Sequence, residues 1–384
     1  MIKAVLLGIV LGIVSGLTPG IHVNTFSAII LSYSDSLLKF FSPEDLAVVV
    51  FVNAIVHTFL DILPSTFLGI PDEDTAIAIL PTHELVLEGK GMVAVSISAY
   101  SSLLSFLFSI PIFVLFLLHP LDVDALTVPV LLLVSAMTIL GEKAEPFEGS
   151  LSVWRKRLFA AAVFVLSGML GIMYFGRPMP LLTGLFASPT LLSSMNSEIP
   201  DQVGSIELPK MKDIVSGTLS GAMVSLFPGV SSGTATLLAS SNLRDRKRIV
   251  SAISSANTSN AFLCFAVFLS SHRIRSGAVS AFKEFGYHDP VGLILVGLLA
   301  SLVATLLTLT FGSVANKVLA KVSPSKLSYA VFFFLIALVV LIDGFFGLLI
   351  FSLATIIGLL TLKLGVRRVN CMGCVVVPAL HLHL

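Results

Sequence analysis

The sequence predicts an all-α polytopic membrane protein with about 10 transmembrane spans, built as two inverted repeats that contain discontinuous or re-entrant helices. Three observations carry this expectation. Of 384 residues, 56 % are hydrophobic and only 12 % charged, against about a quarter charged in soluble proteins. Apolar runs near the length that crosses the hydrocarbon core follow one another along the chain. One of those runs is interrupted at its centre by a Gly/Pro motif, and the same device returns in the second half.

The first break lies at Thr18, Pro19 and Gly20, after which the helix resumes through Ile21, His22, Val23, Asn24 and Thr25. The second lies at Phe227, Pro228 and Gly229 and resumes through Val230, Ser231, Ser232, Gly233 and Thr234. Upstream of each break a small residue recurs at every fourth position: Gly8, Gly12 and Gly16 in one copy, Gly217, Gly221 and Ser225 in the other. Such a ladder lays a smooth stripe along a helix and lets a second backbone approach closely in lipid. Paired, Gly/Pro-interrupted apolar segments in corresponding positions of two halves point to the binding site of a secondary transporter.

Taken in order, spans or broken spans fall at 4–38, 46–63, 92–118, 125–141, 158–175, 178–195, 213–241, 249–270, 290–316, 327–342 and 345–364. They divide the chain into an N-terminal membrane repeat (1–195), a connector (196–212), a C-terminal membrane repeat (213–365) and a membrane-associated tail (366–384). Pro64 to Gly91 is polar and punctuated by proline, and reads as short helices lying on or dipping into the membrane surface. Lys and Arg set orientation. They place the 141–157 loop, the Arg244–Arg248 cluster, the loop with Lys317, Lys321 and Lys326, and the Lys363–Arg368 side in the cytoplasm. Arg273, Arg275 and Lys283 do not fit that alternation.

The net charge of +1 implies no nucleic-acid partner. No soluble domain remains once the apolar runs are removed, so a membrane-anchored enzyme is not expected. The first apolar segment carries the break instead of a cleavage site, and the N-terminus is taken as mature. Three cysteines form no disulfide framework, and the spacing of Cys371, Cys374, His381 and His383 matches no familiar zinc pattern. No phosphate-binding loop is present to drive transport with ATP. No cofactor is expected beyond a coupling ion, Na+ or H+.

The chemistry resides in the breaks. A helix that starts inside the membrane presents unpaired N–H groups and the positive end of its dipole, which together favour an anion. Those groups lie near Gly20–Val23 and Gly229–Ser232, where glycine lets a ligand reach the backbone. Asn24, Thr25, Ser231, Ser232 and Thr234 add neutral hydrogen-bond donors. Two such ends facing each other clamp a small carboxylate or phosphate. The plainer reading is that Pro and Gly only kink packed helices. In the second span Asn53, His57 and Asp61 recur at every fourth position, so they share a helix face. Ionisable groups at that depth are candidates for the pathway or for coupling, with an interfacial position of Asp61 as the alternative. The counterpart in the other half is the uncharged polar run with Ser254, Ser255, Asn257, Thr258, Ser259 and Asn260.

These residues resemble the TctA family, the large permease subunits of tripartite tricarboxylate transporters. The resemblance rests on Gly12, Gly16, Thr18, Pro19 and Gly20, on Phe67–Pro71, on Glu88–Gly91, and on Pro228–Ala235. It implies ion-coupled uptake of di- or tricarboxylates across the cell membrane, with an extracytoplasmic binding protein and a small membrane subunit as partners. The stretch Pro228–Thr234 is also similar to the signature of polyprenyl-phosphate translocases, for which the same clamp holds a lipid phosphate.

Overall fold

A computed structural model describes residues 1–18, 23–69, 79–142, 150–174, 178–194, 200, 202–227, 230–239, 245–319 and 324–383. All regular structure among them is helical. In chain order the helices are α1 (Ile2–Leu17), α2 (Val23–Ser32), α3 (Ser34–Leu37), α4 (Pro43–Leu60), α5 (Ile62–Phe67), α6 (Ile79–Leu87), α7 (Gly91–Leu118), α8 (Asp124–Leu140) and α9 (Ser150–Met173). There follow α10 (Pro178–Leu182), a π turn (Thr183–Ala187), α11 (Ser188–Ser194), α12 (Met211–Leu226), α13 (Ser232–Ala239), α14 (Arg246–Ser271), α15 (Gly277–Phe285), α16 (Pro290–Leu319) and α17 (Pro324–Lys363). A 3-10 turn (Arg368–Met372) and α18 (Gly373–His383) complete the chain. Six helices among the described residues are long and apolar enough to cross a membrane: 43–67, 91–118, 151–173, 246–271, 290–318 and 328–363. The apolar helices at 2–17, 124–140 and 179–193 are shorter.

The small-residue ladders do what their spacing implies. A Cβ added at Gly8, Gly12 or Gly16 would lie 2.7, 2.6 and 2.7 Å from the Cβ atoms of Val52, Val56 and Leu60, so α1 rests directly on α4. Added at Gly217 or Gly221, it would lie 2.7 and 2.8 Å from the Cβ atoms of Ser255 and Ser259 on α14. Position rises together on both members of each pair, so α1 runs parallel to α4 and α12 parallel to α14. The pairs also start together. The Met1 ammonium lies 2.6 Å from Asp45 at the head of α4, and Arg248 of α14 lies 3.0 Å from Asp213 of α12.

Parallel neighbours joined in sequence require the chain to come back between them. At 1.5 Å per residue, the 16 residues of α1 descend about 24 Å, and the chain must recover that depth before Pro43. It returns through α2 and α3. The second copy returns from the end of α12 through α13 to Asp245, so each interrupted segment is a hairpin that enters and leaves at one end of its helix pair.

The two pairs cross in opposite directions. Thr58 of α4 meets Thr258 of α14 at 3.2 Å, Asp61 accepts a hydrogen bond from Asn257 Nδ2 at 2.8 Å, and Phe51 packs edge-on against Phe265 with ring centroids 4.9 Å apart. High numbers on α4 thus meet low numbers on α14. These helices form the centre of the molecule: 100 % and 83 % of their apolar windows are buried, against 22 % for 328–363. The serines of the α14 polar run are spent on neighbours. Ser251 and Ser259 bond Ser101 and Ser109 of α7 at 2.8 and 3.0 Å, and Ser259 also donates to the Thr218 carbonyl of α12 at 2.9 Å.

Two details refine the expected boundaries. The span placed at 46–63 continues through α5, with its break at Asp61, because Pro64 lacks the N–H that would bond the Leu60 carbonyl. The spans placed at 327–342 and 345–364 are two helices that meet at Gly344, whose non-helical backbone, with a φ of 66°, is a conformation that glycine accepts.

Residues 366–380 of the segment expected as a membrane-associated tail are packed into the bundle, while His381, Leu382 and His383 are exposed. Asn370 and Cys371 are fully buried, and α18 sits on α9 where Gly168 leaves room for Val377. The anchor is Glu142, 3 % exposed, whose Oε1 accepts from the Arg367 backbone N–H at 3.0 Å, Arg367 Nε at 3.2 Å and Asn370 Nδ2 at 2.8 Å. Removing one member of such a buried set leaves the others unsatisfied, at about 3 kcal/mol. Glu142→Ala is therefore expected to lower the melting temperature of the purified protein by several degrees, with Glu142→Gln intermediate. A melt unchanged in both variants would show that the C-terminal segment is not held in this way.

Candidate functional site

The residues that flank both breaks line one cavity of about 140 Å³. Val23 and Asn24 reach it from the start of α2, and Phe227, Val230 and Ser231 from the gap between α12 and α13. Pro19, Gly20, His22, Pro228 and Gly229, and the side chain of Thr25, lie outside the described residues.

The cavity wall repeats between the halves. In the first pair Gly12 rests on Val56, and in the second Gly221 rests on Ser259. One residue further on each helix, His57 of α4 and Asn260 of α14 occupy the same place in this register. Two residues earlier stand Ala54 and Asn257, and two residues later Thr58 and Ala261. All six line the cavity, so corresponding positions of the two central helices face one space. A neutral amide in one half stands where the other has an imidazole, an asymmetry already present in the sequence.

Behind this wall runs a second layer of polar groups. His57 Nδ1 lies 3.1 Å from Ser15 Oγ, which donates to Asn53 Oδ1 at 3.0 Å. His57, Asn53 and Asp61 are 2, 0 and 4 % exposed, and Asp61 is buried against Asn257 of the other half, through which it reaches the cavity.

Several expected ligand groups have structural work. Asn24 Oδ1 accepts from the backbone N–H groups of Gly277 at 2.8 Å and Ala278 at 3.3 Å, capping α15 and fixing the start of α2 to it. Ser231 Oγ accepts from the Thr234 N–H at 3.2 Å and meets Thr234 Oγ1 at 2.9 Å, capping α13. Thr18 Oγ1 bonds the Val14 carbonyl at 2.6 Å at the end of α1. Ser232 is fully buried, with a hydroxyl that has no hydrogen-bond partner among the described residues. Thr18, Ser232, Gly233 and Thr234 are not in the lining.

The site also contains a residue that sequence reasoning missed. Arg275, in the short link between α14 and α15, turns inward and lines the cavity beside Ser276, the cap of α15. Its side chain is 8 % exposed. Burial, and the Arg273 guanidinium beside it, push its pKa below the ordinary arginine value. The signal was present as a conflict: Arg273 and Arg275 broke the Lys/Arg alternation. Arg273 behaves as an end-of-helix charge, paired with Asp124 at 2.8 Å; Arg275 does not.

Six helices long and apolar enough to cross a membrane mark an integral, multi-pass membrane protein, in which the residues flanking both interruptions meet at one cavity. The chain belongs to the tripartite tricarboxylate transporter TctA family, whose model matches residues 2–373. Members of this family are components of tripartite transporters. The chain is similar to the uncharacterized protein MJ1079 of Methanocaldococcus jannaschii, at 26 % identity over 397 residues that cover 98 % of this chain and 97 % of the relative. No solved structure matches it significantly.

Proposed function

We propose that this protein is the permease subunit of an ion-coupled, secondary-active transporter for a small organic anion such as a di- or tricarboxylate, held between the two broken-helix starts near the bilayer midplane. The observation that carries this reading is the single cavity lined from both breaks and by corresponding positions of α4 and α14. Its volume of about 140 Å³ is close to that of a cavity which admits benzene, about 150 Å³. That size suits a compact acid better than a polyprenyl chain, although a lipid phosphate head group would use the same amides.

The parallel α1/α4 and α12/α14 pairs, set antiparallel to each other, support two repeats inserted in opposite senses, with the hairpins entering from opposite faces of the cell membrane. Rocking of one repeat against the other would open the cavity to each side in turn. The His57–Ser15–Asn53 chain, buried within the first repeat behind the cavity wall, and the Asp61–Asn257 pair, buried where the repeats meet, supply the groups for a coupling H+ or Na+. Partners in this reading are a small membrane subunit and an extracytoplasmic binding protein.

The test is anion-dependent thermal stabilisation of the purified protein. Citrate-like acids are expected to raise the melting temperature in proportion to the logarithm of their concentration above Kd. Stabilisation by polyprenyl phosphate alone would replace the carboxylate reading with the lipid one, and stabilisation by neither would remove the anion site.

A further inference from the structure

Among the described residues Arg275 is the one Lys or Arg in the wall of the cavity, and two of its nitrogens make no hydrogen bond to them. Its Nε and Nη2 are buried without a hydrogen-bond partner among the described residues. The nearest carboxylate, Asp124 at the head of α8, lies 3.9 Å from Nη2, beyond hydrogen-bond reach, and is 70 % exposed. Its other oxygen is held by Arg273 at 2.8 Å. A buried guanidinium left in this way is costly unless something else completes it.

Nε and Nη2 form one edge of the guanidinium plane. Their N–H bonds run parallel, at the spacing of the two oxygens of a carboxylate, and pairing along such an edge adds directional specificity to charge. The edge is buried beside the capped start of α15, where the helix dipole also favours negative charge.

We propose that Arg275, in the wall of the cavity, is the residue that meets the cargo's charge, its planar guanidinium pairing with a carboxylate of the substrate in addition to the helix-start amides. This rests on the anion-transport reading above and names the residue that selects its carboxylate. It also accounts for a buried arginine just beyond the end of a membrane-spanning helix, whose one ion pair among the described residues, with Asp124 at 3.9 Å, is too long for a hydrogen bond.

The experiment measures binding of citrate, tricarballylate and succinate, each by thermal shift and by isothermal titration, to the full-length protein and to Arg275→Gln and Arg275→Lys. Arg275→Gln is expected to weaken binding on the order of a hundredfold, the loss of a charge-assisted bidentate pair. Arg275→Lys keeps the charge and loses the planar edge, and is expected to weaken it about tenfold. Wild-type binding that survives unchanged in both variants overturns the role of Arg275 while leaving the transport reading intact. Absence of binding to the wild-type protein overturns both. Should Arg275→Gln fail to fold, Arg275→Lys decides: tenfold weaker binding supports the pairing, and full affinity refutes it.

Discussion

Gly221→Leu is expected to yield almost no folded protein, and Gly12→Leu to do the same in the other repeat. At both positions even a Cβ collides with the facing helix, 2.8 Å from Ser259 Cβ and 2.6 Å from Val56 Cβ, and at Gly221 the Ala256 carbonyl is closer still. Leucine adds three more carbons with nowhere to go. Overpacking costs typically 1–3 kcal/mol where neighbours can move, but at Gly221 the closest neighbour is backbone and at Gly12 it is the Cβ of Val56, fixed to its backbone. Separating α12 from α14 also breaks the Ser259–Thr218 and Thr218–Ser105 hydrogen bonds, the latter reaching α7 at 2.9 Å, and leaves buried hydroxyls unpaired at about 1–3 kcal/mol each. These losses together approach the whole stability of a typical protein. Gly204→Leu is the control, because a Cβ there meets nothing within 4 Å. Size-exclusion profiles of the three variants check this: a monodisperse, thermostable Gly221→Leu protein would mean that the helix pair is not packed as described.

The parts of the molecule written in local pattern were legible in the sequence. A glycine every fourth residue specifies a helix face and a close neighbour, and Gly8, Gly12, Gly217 and Gly221 all meet one. Proline and glycine inside an apolar run mark an interruption, and α1 and α12 end at Leu17 and Leu226, just before the two prolines. His57 was singled out because an imidazole in an apolar span is expensive, and it lines the cavity.

What the sequence did not reveal depends on docking between distant elements. Asn24 looked like a ligand donor, yet its carbonyl oxygen caps α15 across 253 positions of chain. No local rule announces such a partner. Arg275 looked like a loop charge out of place because charge counting assumes that links between helices face water; this link folds inward over the end of α14. Residues 366–384 looked like a tail because apolar residues with two cysteines carry no periodic signature, and their burial depends on the complementary Glu142 and Gly168 far upstream.

The most direct test of a single site between the breaks uses one cysteine from each half. Ala54 of α4 and Ala261 of α14 are small, line the cavity from opposite repeats and tolerate a thiol in its open space. The native Cys264 also lines it and is first replaced by alanine, while Cys371 and Cys374 are buried. In proteoliposomes, a carboxylate at about ten times its Kd leaves roughly a tenth of the sites empty. Labelling of Ala54→Cys and of Ala261→Cys by a small thiol reagent is then expected to slow about tenfold in both variants, with the same half-protecting concentration. Protection at one position only, or at concentrations that differ between the two, would contradict a shared cavity and reduce the interrupted helices to kinks in a packed bundle.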